Sequence, residues 1–237
     1  MTAKLADKQD LNSRFTLYRF ELVSPYQLHN QAGQYIMLQI DKDTMRAYSM
    51  CDRPDVDSSF ELLLDRTPAG VGVRYLEKLN FGDEITFLAP LGHLIVAPDE
   101  PAEHLYLLAT GSGVSPFKAI ITDQLQLQRT AKNITLIWSL TNDQDFFWLE
   151  DFLDLQDKYN NFTFIPTVDQ PSPAWTLRTG YITDVLRTLT LPTDAHFYLC
   201  GHPLMIAATT TYLQEQGFDQ SHLTAEQFLP PSVAAKR

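Results

Sequence analysis

Three short stretches of this sequence carry reactive side chains or glycines that an ordinary strand or turn would not need. In "MRAYSMCDRP", residues 45–54, a guanidinium (Arg46), a phenol (Tyr48), a hydroxyl (Ser49) and a thiol (Cys51) fall close together on a strand-like run that Pro54 ends. In "ATGSGVSP", residues 109–116, Gly111 and Gly113 let the backbone turn tightly and approach a ligand. Ser112 offers a hydrogen-bond donor there, and Pro116 suits the first position of a following helix. The N–H groups of such a helix start would face a phosphate. The pattern lacks the third glycine of the usual dinucleotide fingerprint, so a plain glycine turn between strand and helix fits it equally well. In "FYLCGHPLMI", residues 197–206, Cys200 precedes Gly201 and Pro203, which open another helix. A cysteine in such a place is either a small inert apolar group or a reactive one.

The surrounding patterns say what must position these residues. Up to about residue 97 the chain reads as short alternating or aromatic-rich runs, "RFTLYRFELV", "GQYIMLQI", "RAYSM", "SFELLLDR" and "DEITFL", separated by turn signals such as "NQAG" and "FGDE". Strands at this spacing predict an antiparallel β-barrel or sandwich. One segment, "GVGVRYLEKL" at 70–79, has helical spacing behind Gly70 and Gly72, which adds one short helix. Residues 96–104, "VAPDEPAEH", read as a linker. Beyond them apolar strands alternate with helices: "LYLLAT" and "PFKAIITDQLQLQ", "NITLIWSL" and "DFFWLEDFLDLQDKY", "FTFIPTV" and "GYITDVLRTL", "HFYLC" and "PLMIAATTTYLQEQG". This predicts a Rossmann-like α/β domain, a parallel sheet with helices on both faces. Ligands of such sheets sit beyond the carboxyl ends of the strands, where the Gly111 loop and Cys200 both fall.

Bulk composition narrows the function classes. With 18 Lys and Arg against 29 Asp and Glu, a formal net charge of −11, the chain lacks the basic surface that nucleic acid requires. Its two cysteines cannot build a disulfide framework or hold a four-cysteine metal cluster, so no metal site is expected and any cluster belongs to a partner. No apolar run approaches the roughly 18 residues of a membrane helix, and "MTAKLADKQD" has no secretion-signal core, so a cytoplasmic location without a membrane span is expected.

Taken in order and at these distances, "RAYS", "ATGSGVSP" and "CGHPLM" resemble the ferredoxin-NAD(P) reductase family of flavoproteins, from "GQYIML" at 33 to "AEQF" at 225. The resemblance implies an FAD-binding barrel over 1–97, an NAD(P)-binding domain over 104–237, and no fused iron–sulfur domain. It implies that Arg46, Ala47, Tyr48 and Ser49 form the flavin strand. Arg46 would lie on the pyrophosphate, Tyr48 against the ring and Ser49 near its reactive nitrogen, roles that suit a planar guanidinium and a flat phenol. It assigns Gly70, Gly72 and Val73 to the pyrophosphate, although Val73 stands where the family usually has a serine or threonine. Thr110, Gly111, Ser112, Gly113 and Pro116 would cradle the nicotinamide dinucleotide, together with Cys200, Gly201, Pro203 and Met205. Cys200 would sit beside the hydride-donating carbon, Glu226 would join a proton relay, and Phe228 would cover the flavin face; a C-terminal residue packed in the core fits Phe228 nearly as well. Ser49, Cys200 and Glu226 are thus the catalytic candidates.

The family's NADP-dependent members tend to carry serine or arginine where this chain has Asp169, Gln170 and Tyr181, and an acid at Asp169 would repel a 2′-phosphate. NADH is therefore favoured over NADPH, with Arg178 the one nearby cation that speaks for phosphate. The electrons would leave to a separate ferredoxin, flavodoxin or oxygenase component, or to a small acceptor. Arg46, Arg53, Arg66, Arg74, Lys78 and Lys42 concentrate in the first half, where a basic patch would offset the net acidity toward an acidic partner. Two other readings are an NAD(P)H:flavin reductase that uses free flavin as substrate, and a non-catalytic nucleotide-binding electron-transfer subunit of a larger complex.

Overall fold

A computed structural model describes residues 1–67 and 69–227. Among them the chain divides into two compact units, one formed by residues 1–96 and 115–127, the other by residues 97–114 and 128–227.

The first unit is built on six antiparallel strands: β1 (Thr2–Asp10), β2 (Phe15–Ser24), β3 (Tyr35–Gln39), β4 (Met45–Ser49), β5 (Ser59–Asp65) and β6 (Glu84–Leu91). Their order is β4-β3-β6-β1-β2-β5, and a bridge between Met50 and Leu62 joins the two outer strands, which makes the sheet a barrel. Period-2 alternation drives this. In β2, Tyr18, Phe20 and Leu22 point inward while Arg19 and Glu21 face water. Inside, the rings of Tyr18, Phe20, Phe60 and Phe87 follow one another at centroid spacings of 5.0 to 6.3 Å. Each such buried ring contributes about 2 kcal/mol of transfer free energy. Helix α1 (Val71–Glu77) seals the barrel with Val73 and Leu76.

Strand β1 is absent from the sequence-based expectation. Only Ala3 and Leu5 of this strand are buried, so its apolar period spans a single repeat. It forms because both its edges are paired, Lys4 with Glu21 on β2 and with Glu84 on β6, and main-chain bonds do there what side-chain burial does in β2.

The second unit is a parallel sheet of β7 (His104–Thr110), β8 (Asn133–Asn142), β9 (Phe162–Gln170), β10 (Arg178–Thr179), β11 (Ala195–Gly201) and β12 (Leu223–Gln227). The order is β10-β9-β8-β7-β11-β12: the chain winds outward from β7 to β10 and then returns to the other side of β7. The reversal at β7 and β11 is the place where such sheets open a crevice. Helix α2 (Val114–Thr122), which follows β7 and passes into a π-helical turn at Asp123–Leu127, belongs from Ser115 onward to the first unit. Helices α4 (Ile182–Leu186) and α5 (Pro203–Glu215) share a core with Leu108, Ile137 and Leu199 on one face of the sheet. On the other face, Phe152 of α3 (Leu149–Lys158) meets Trp138 and Phe164.

Residues 97–103, which have no apolar period, are ordered by polar contacts. Tyr198 donates to Glu100 Oε2 at 3.0 Å, the Ala102 N–H donates to Oε1 at 3.0 Å, and Lys132 donates to the carbonyls of Glu100 and Ala102. Among the described residues no helix is long and apolar enough to cross a membrane, and no three His, Cys, Asp or Glu side chains gather into a metal site.

Candidate active site

In the first unit, β4 and the start of α1 meet. Arg46 and Tyr48 lie opposite Leu38 and Ile36 of β3, so alternation turns them to the side of the core, while Ala47 points outward. A Cβ built on Gly72 would stand 3.3 Å from Arg46 Cγ and 3.4 Å from Tyr48 Cζ, with the phenol oxygen nearer still. Only glycine allows the helix to come this close to the strand. Burial pushes the Tyr48 phenol far above its ordinary value, and the Arg46 charge offsets this only in part, so the ring is neutral. Arg46 donates to its neighbour Met45 O at 2.7 Å. Gly70 is the N-cap of α1, and neither a side-chain cap nor an acid serves its first turn. Val73, where a hydroxyl was the family expectation, buries its side chain in the barrel core, so it contributes packing and only its main chain faces the turn. Arg74 is held on the carbonyl of Ala69.

Ser49 ends β4 opposite Tyr35 and is buried, yet its hydroxyl has no hydrogen-bond partner. A buried hydroxyl without a partner costs about 1–3 kcal/mol, so its retention points to a group that fills the position. This orphan oxygen, the tight Gly72 crossing and the uncapped helix start with a guanidinium beside it fit a bound flavin dinucleotide.

In the second unit the two glycine stretches are laced together at the strand reversal. A Cβ on Gly113 would lie 2.6 Å from the carbonyl carbon of Cys200 and 2.9 Å from Gly201 Cα. Gly201 itself has φ +134° and presses on Thr110, whose carbonyl oxygen would be 2.7 Å from an added Cβ. The Thr110 hydroxyl accepts from the His202 N–H at 2.9 Å, tying β7 to the turn after β11. Gly111 adopts φ +58° at the start of a short 3-10 turn, Gly111–Gly113. Because that turn intervenes, Pro116 is the third residue of α2 rather than its first, still in the first turn, where the missing N–H breaks no helical bond. Pro203 does open α5, capped by His202, whose Nδ1 accepts from the Leu204 N–H. Met205 is partly buried and packs against the α4–α5 core.

Cys200 is fully buried, in register with Ala109 on one side and Glu226 on the other. Burial, reinforced by Glu226, pushes its thiol well up, so it is a neutral, compact group and not a thiolate. Burial also raises Glu226 to about 7, poised to hold or release a proton near neutrality. Asp169 lies exposed at the carboxyl end of β9, two strands from β7, and accepts a hydrogen bond from the Tyr181 phenol. Arg178 donates to the Thr188 hydroxyl at 2.9 Å. Phe228 lies outside the described residues.

Trp138 escaped the sequence reading. Its indole N–H donates to Gly111 O at 2.9 Å, and Phe146 and Phe147 pack on its ring at 4.8 and 5.0 Å. The signal was an indole inside the otherwise aliphatic run "NITLIWSL". Of the six cations expected to form a basic patch on the barrel, two are in ion pairs, Arg53 with Asp55 at 2.7 Å and Arg66 with Asp10 at 3.2 Å.

A family model described as an oxidoreductase FAD-binding domain matches residues 2–95, and one described as an oxidoreductase NAD-binding domain matches residues 107–211. One component of the Na(+)-translocating NADH-quinone reductase of Serratia proteamaculans is 31% identical over 205 residues, 80% of this chain and 50% of that protein. The anthranilate 1,2-dioxygenase electron transfer component of Acinetobacter baylyi is 30% identical over 211 residues, 88% of this chain and 61% of that protein. The chain thus spans about half the length of the curated relatives it matches. Among solved structures, a cytochrome P450 reductase from Amycolatopsis superposes with a TM-score of 0.86 at 24% identity, covering 97% of this chain and 70% of the other. A ferredoxin NADP+ reductase from Neisseria gonorrhoeae, solved with bound FAD and NADP, gives 0.83 at 20% identity, covering 96% and 98%. At these identities the two structures establish the fold.

Proposed function

Because this chain belongs to the ferredoxin-NAD(P) reductase family of flavoproteins, with an FAD-binding domain followed by an NAD-binding domain, we propose that it takes hydride from NADH and delivers the electrons to a separate acceptor. The observation that carries the proposal is this pair of domains in one chain, each with its own close-packed glycine crossing. Bound FAD would supply the exchange between a two-electron donor and one-electron acceptors.

The chain's own residues bind and orient. In the barrel, assigned to residues 1–97, Arg46 and the main chain of Gly70, Gly72 and Val73 would neutralise a pyrophosphate, and Ala47 and Tyr48 would flank the ring. Ser49 Oγ would donate to the ring edge. In the sheet domain, assigned to residues 104–237, the loop from Thr110 to Gly113, with Pro116, Gly201, Pro203 and Met205 behind it, would hold the dinucleotide. Cys200, neutral and buried, would act as a shape-fitting wall for the nicotinamide, and the Glu226 carboxyl would hold a proton near pH 7. The exposed Asp169 carboxylate would accept from a ribose hydroxyl and repel a 2′-phosphate, which favours NADH. Phe228 is assigned to the flavin face on the family resemblance alone. The acceptor is a ferredoxin, a flavodoxin or an oxygenase component, the last in keeping with the relative from Acinetobacter baylyi.

The test is to load the purified chain with FAD, pass it over a gel-filtration column and titrate it anaerobically with NADH and NADPH. Retained flavin whose visible absorbance bleaches with one equivalent of NADH, faster than with NADPH, and recovers on adding ferricyanide is the expected result. Loss of flavin on the column would instead favour a flavin reductase using free flavin, and nucleotide binding without bleaching would favour a non-catalytic role.

A further inference from the structure

Strand β4 carries the Arg46–Ser49 stretch, and it is a precarious strand. One edge is laddered to β3 over five residue pairs. Among the described residues the other edge has no ladder, and the barrel is closed just beyond it, where Met50 bridges Leu62 and the Cys51 N–H donates to Glu61 O at 3.0 Å.

In a regular antiparallel rung, paired residues exchange two main-chain bonds, each donating to the other's carbonyl. Here the return bond is made differently. The Glu61 N–H donates to Oδ1 of the Asp52 side chain at 3.0 Å, so a carboxylate oxygen stands in for a main-chain carbonyl. The Cys51 thiol also points at Glu61 O, at 3.5 Å. The two residues that no part of the proposed chemistry uses, Cys51 and Asp52, therefore close the barrel two and three residues after Ser49.

We propose that Asp52 is a positioning residue for the flavin: its side chain completes the seam between β4 and β5 and thereby fixes the strand that presents Arg46, Tyr48 and Ser49. This rests on the reading that the barrel holds FAD.

The groups around Asp52 are Glu61, Lys118 and Cys51. Lys118 reaches Glu61 at 3.8 Å. Burial pushes Asp52 up to about 7, against the lowering effect of the Glu61 N–H. The neutral acid still offers a carbonyl oxygen to Glu61, so an asparagine amide is a faithful replacement and an alanine is not.

The test uses the full chain as wild type, Asp52→Ala and Asp52→Asn, stripped of flavin and titrated with FAD by quenching of flavin fluorescence. The visible circular dichroism of the bound flavin and the KM for NADH at saturating FAD are measured alongside. Loss of one buried acceptor predicts that Asp52→Ala weakens FAD binding by about tenfold and changes the dichroic bands. NADH KM stays at the wild-type value, and Asp52→Asn recovers FAD affinity to within about twofold, because its amide oxygen still accepts. Should Asp52→Ala fail to fold, Asp52→Ser, whose hydroxyl falls short of Glu61, takes its place. Wild-type FAD affinity in the alanine or serine variant would overturn the inference, and so would an asparagine variant as weak as alanine. A wild-type chain that binds no FAD would overturn the underlying reading of the barrel instead.

Discussion

Gly113→Ala tests how closely the two loops of the sheet domain are fitted. A Cβ there would sit 2.6 Å from the carbonyl carbon of Cys200 and 2.9 Å from Gly201 Cα, against an ordinary contact of 3.4 to 4 Å. All of these opposing atoms are main chain, so no side-chain rotation relieves them. The loops must part by the shortfall, about 1 Å, at a packing cost of roughly 1–3 kcal/mol. A misplacement of about 1 Å in a hydride-transfer geometry costs on the order of 100-fold in rate. Anaerobic stopped-flow reduction of the FAD-loaded variant by NADH should show this loss with the flavin still bound, because the barrel is untouched. The control is Gly217→Ala, in the same unit at φ +94° with open space around it. It should lose about 1–2 kcal/mol of stability from backbone strain and leave the reduction rate unchanged. A Gly113→Ala protein that reduces within about threefold of wild type would refute the claim that this crossing sets the nicotinamide position.

Three further outcomes are expected. Gly72→Ala should weaken FAD retention by about tenfold, and adding Tyr48→Phe should recover part of the loss, because the phenol oxygen is the nearest obstacle; fluorescence titration of the single and double variants measures the coupling. Ser49→Ala removes a buried hydroxyl without a partner, so thermal melts should show the flavin-free chain stabilised by about 1 kcal/mol while flavin reduction by NADH slows. Glu226 is raised by burial from 4.5 to about 7, so its contribution to stability is fully present below about pH 4.5 and is lost as pH rises through 7. Melting curves of wild type and Glu226→Gln from pH 5 to 8 should therefore diverge, wild type losing at most about 3 kcal/mol relative to the variant, less what partial exposure screens away.

How much of this was legible from residue order follows from where the determining forces lie. The barrel and the parallel sheet were readable because Tyr18, Phe20 and Leu22, or Leu105 to Ala109, are spaced by the burial that holds them. Strand β1 was not, because ladder bonds to β2 and β6 hold it and leave almost no apolar trace. The segment at 97–103 likewise reads as a polar linker, although Glu100 and Lys132 anchor it through hydrogen bonds that pair residues about 30 to 100 positions apart. At the site, Gly72, Gly113 and Gly201 were visible as glycines, whereas what each avoids, Tyr48, Cys200 and Thr110, is a fact of three dimensions. Trp138 was hidden because an indole in an apolar strand looks like core, and only its bond to Gly111 separates the two roles.

The placement of β1 between β2 and β6 also has a consequence in time. As the chain leaves the ribosome, β1 can pair at once with β2, but its second edge must wait for Glu84–Leu91, some 80 residues later. Until then β1 has an open edge, and β2 and β5 reach β3 and β4 only through the short seam of Met50, Cys51 and Asp52 with Glu61 and Leu62. The strand bearing Arg46 to Ser49 and the helix bearing Gly72 are both synthesised before β6 joins the two halves. A nascent chain therefore displays every barrel residue assigned to the flavin before the ladder that joins the two halves of the sheet exists, so the barrel's pairings of longest sequence separation form last.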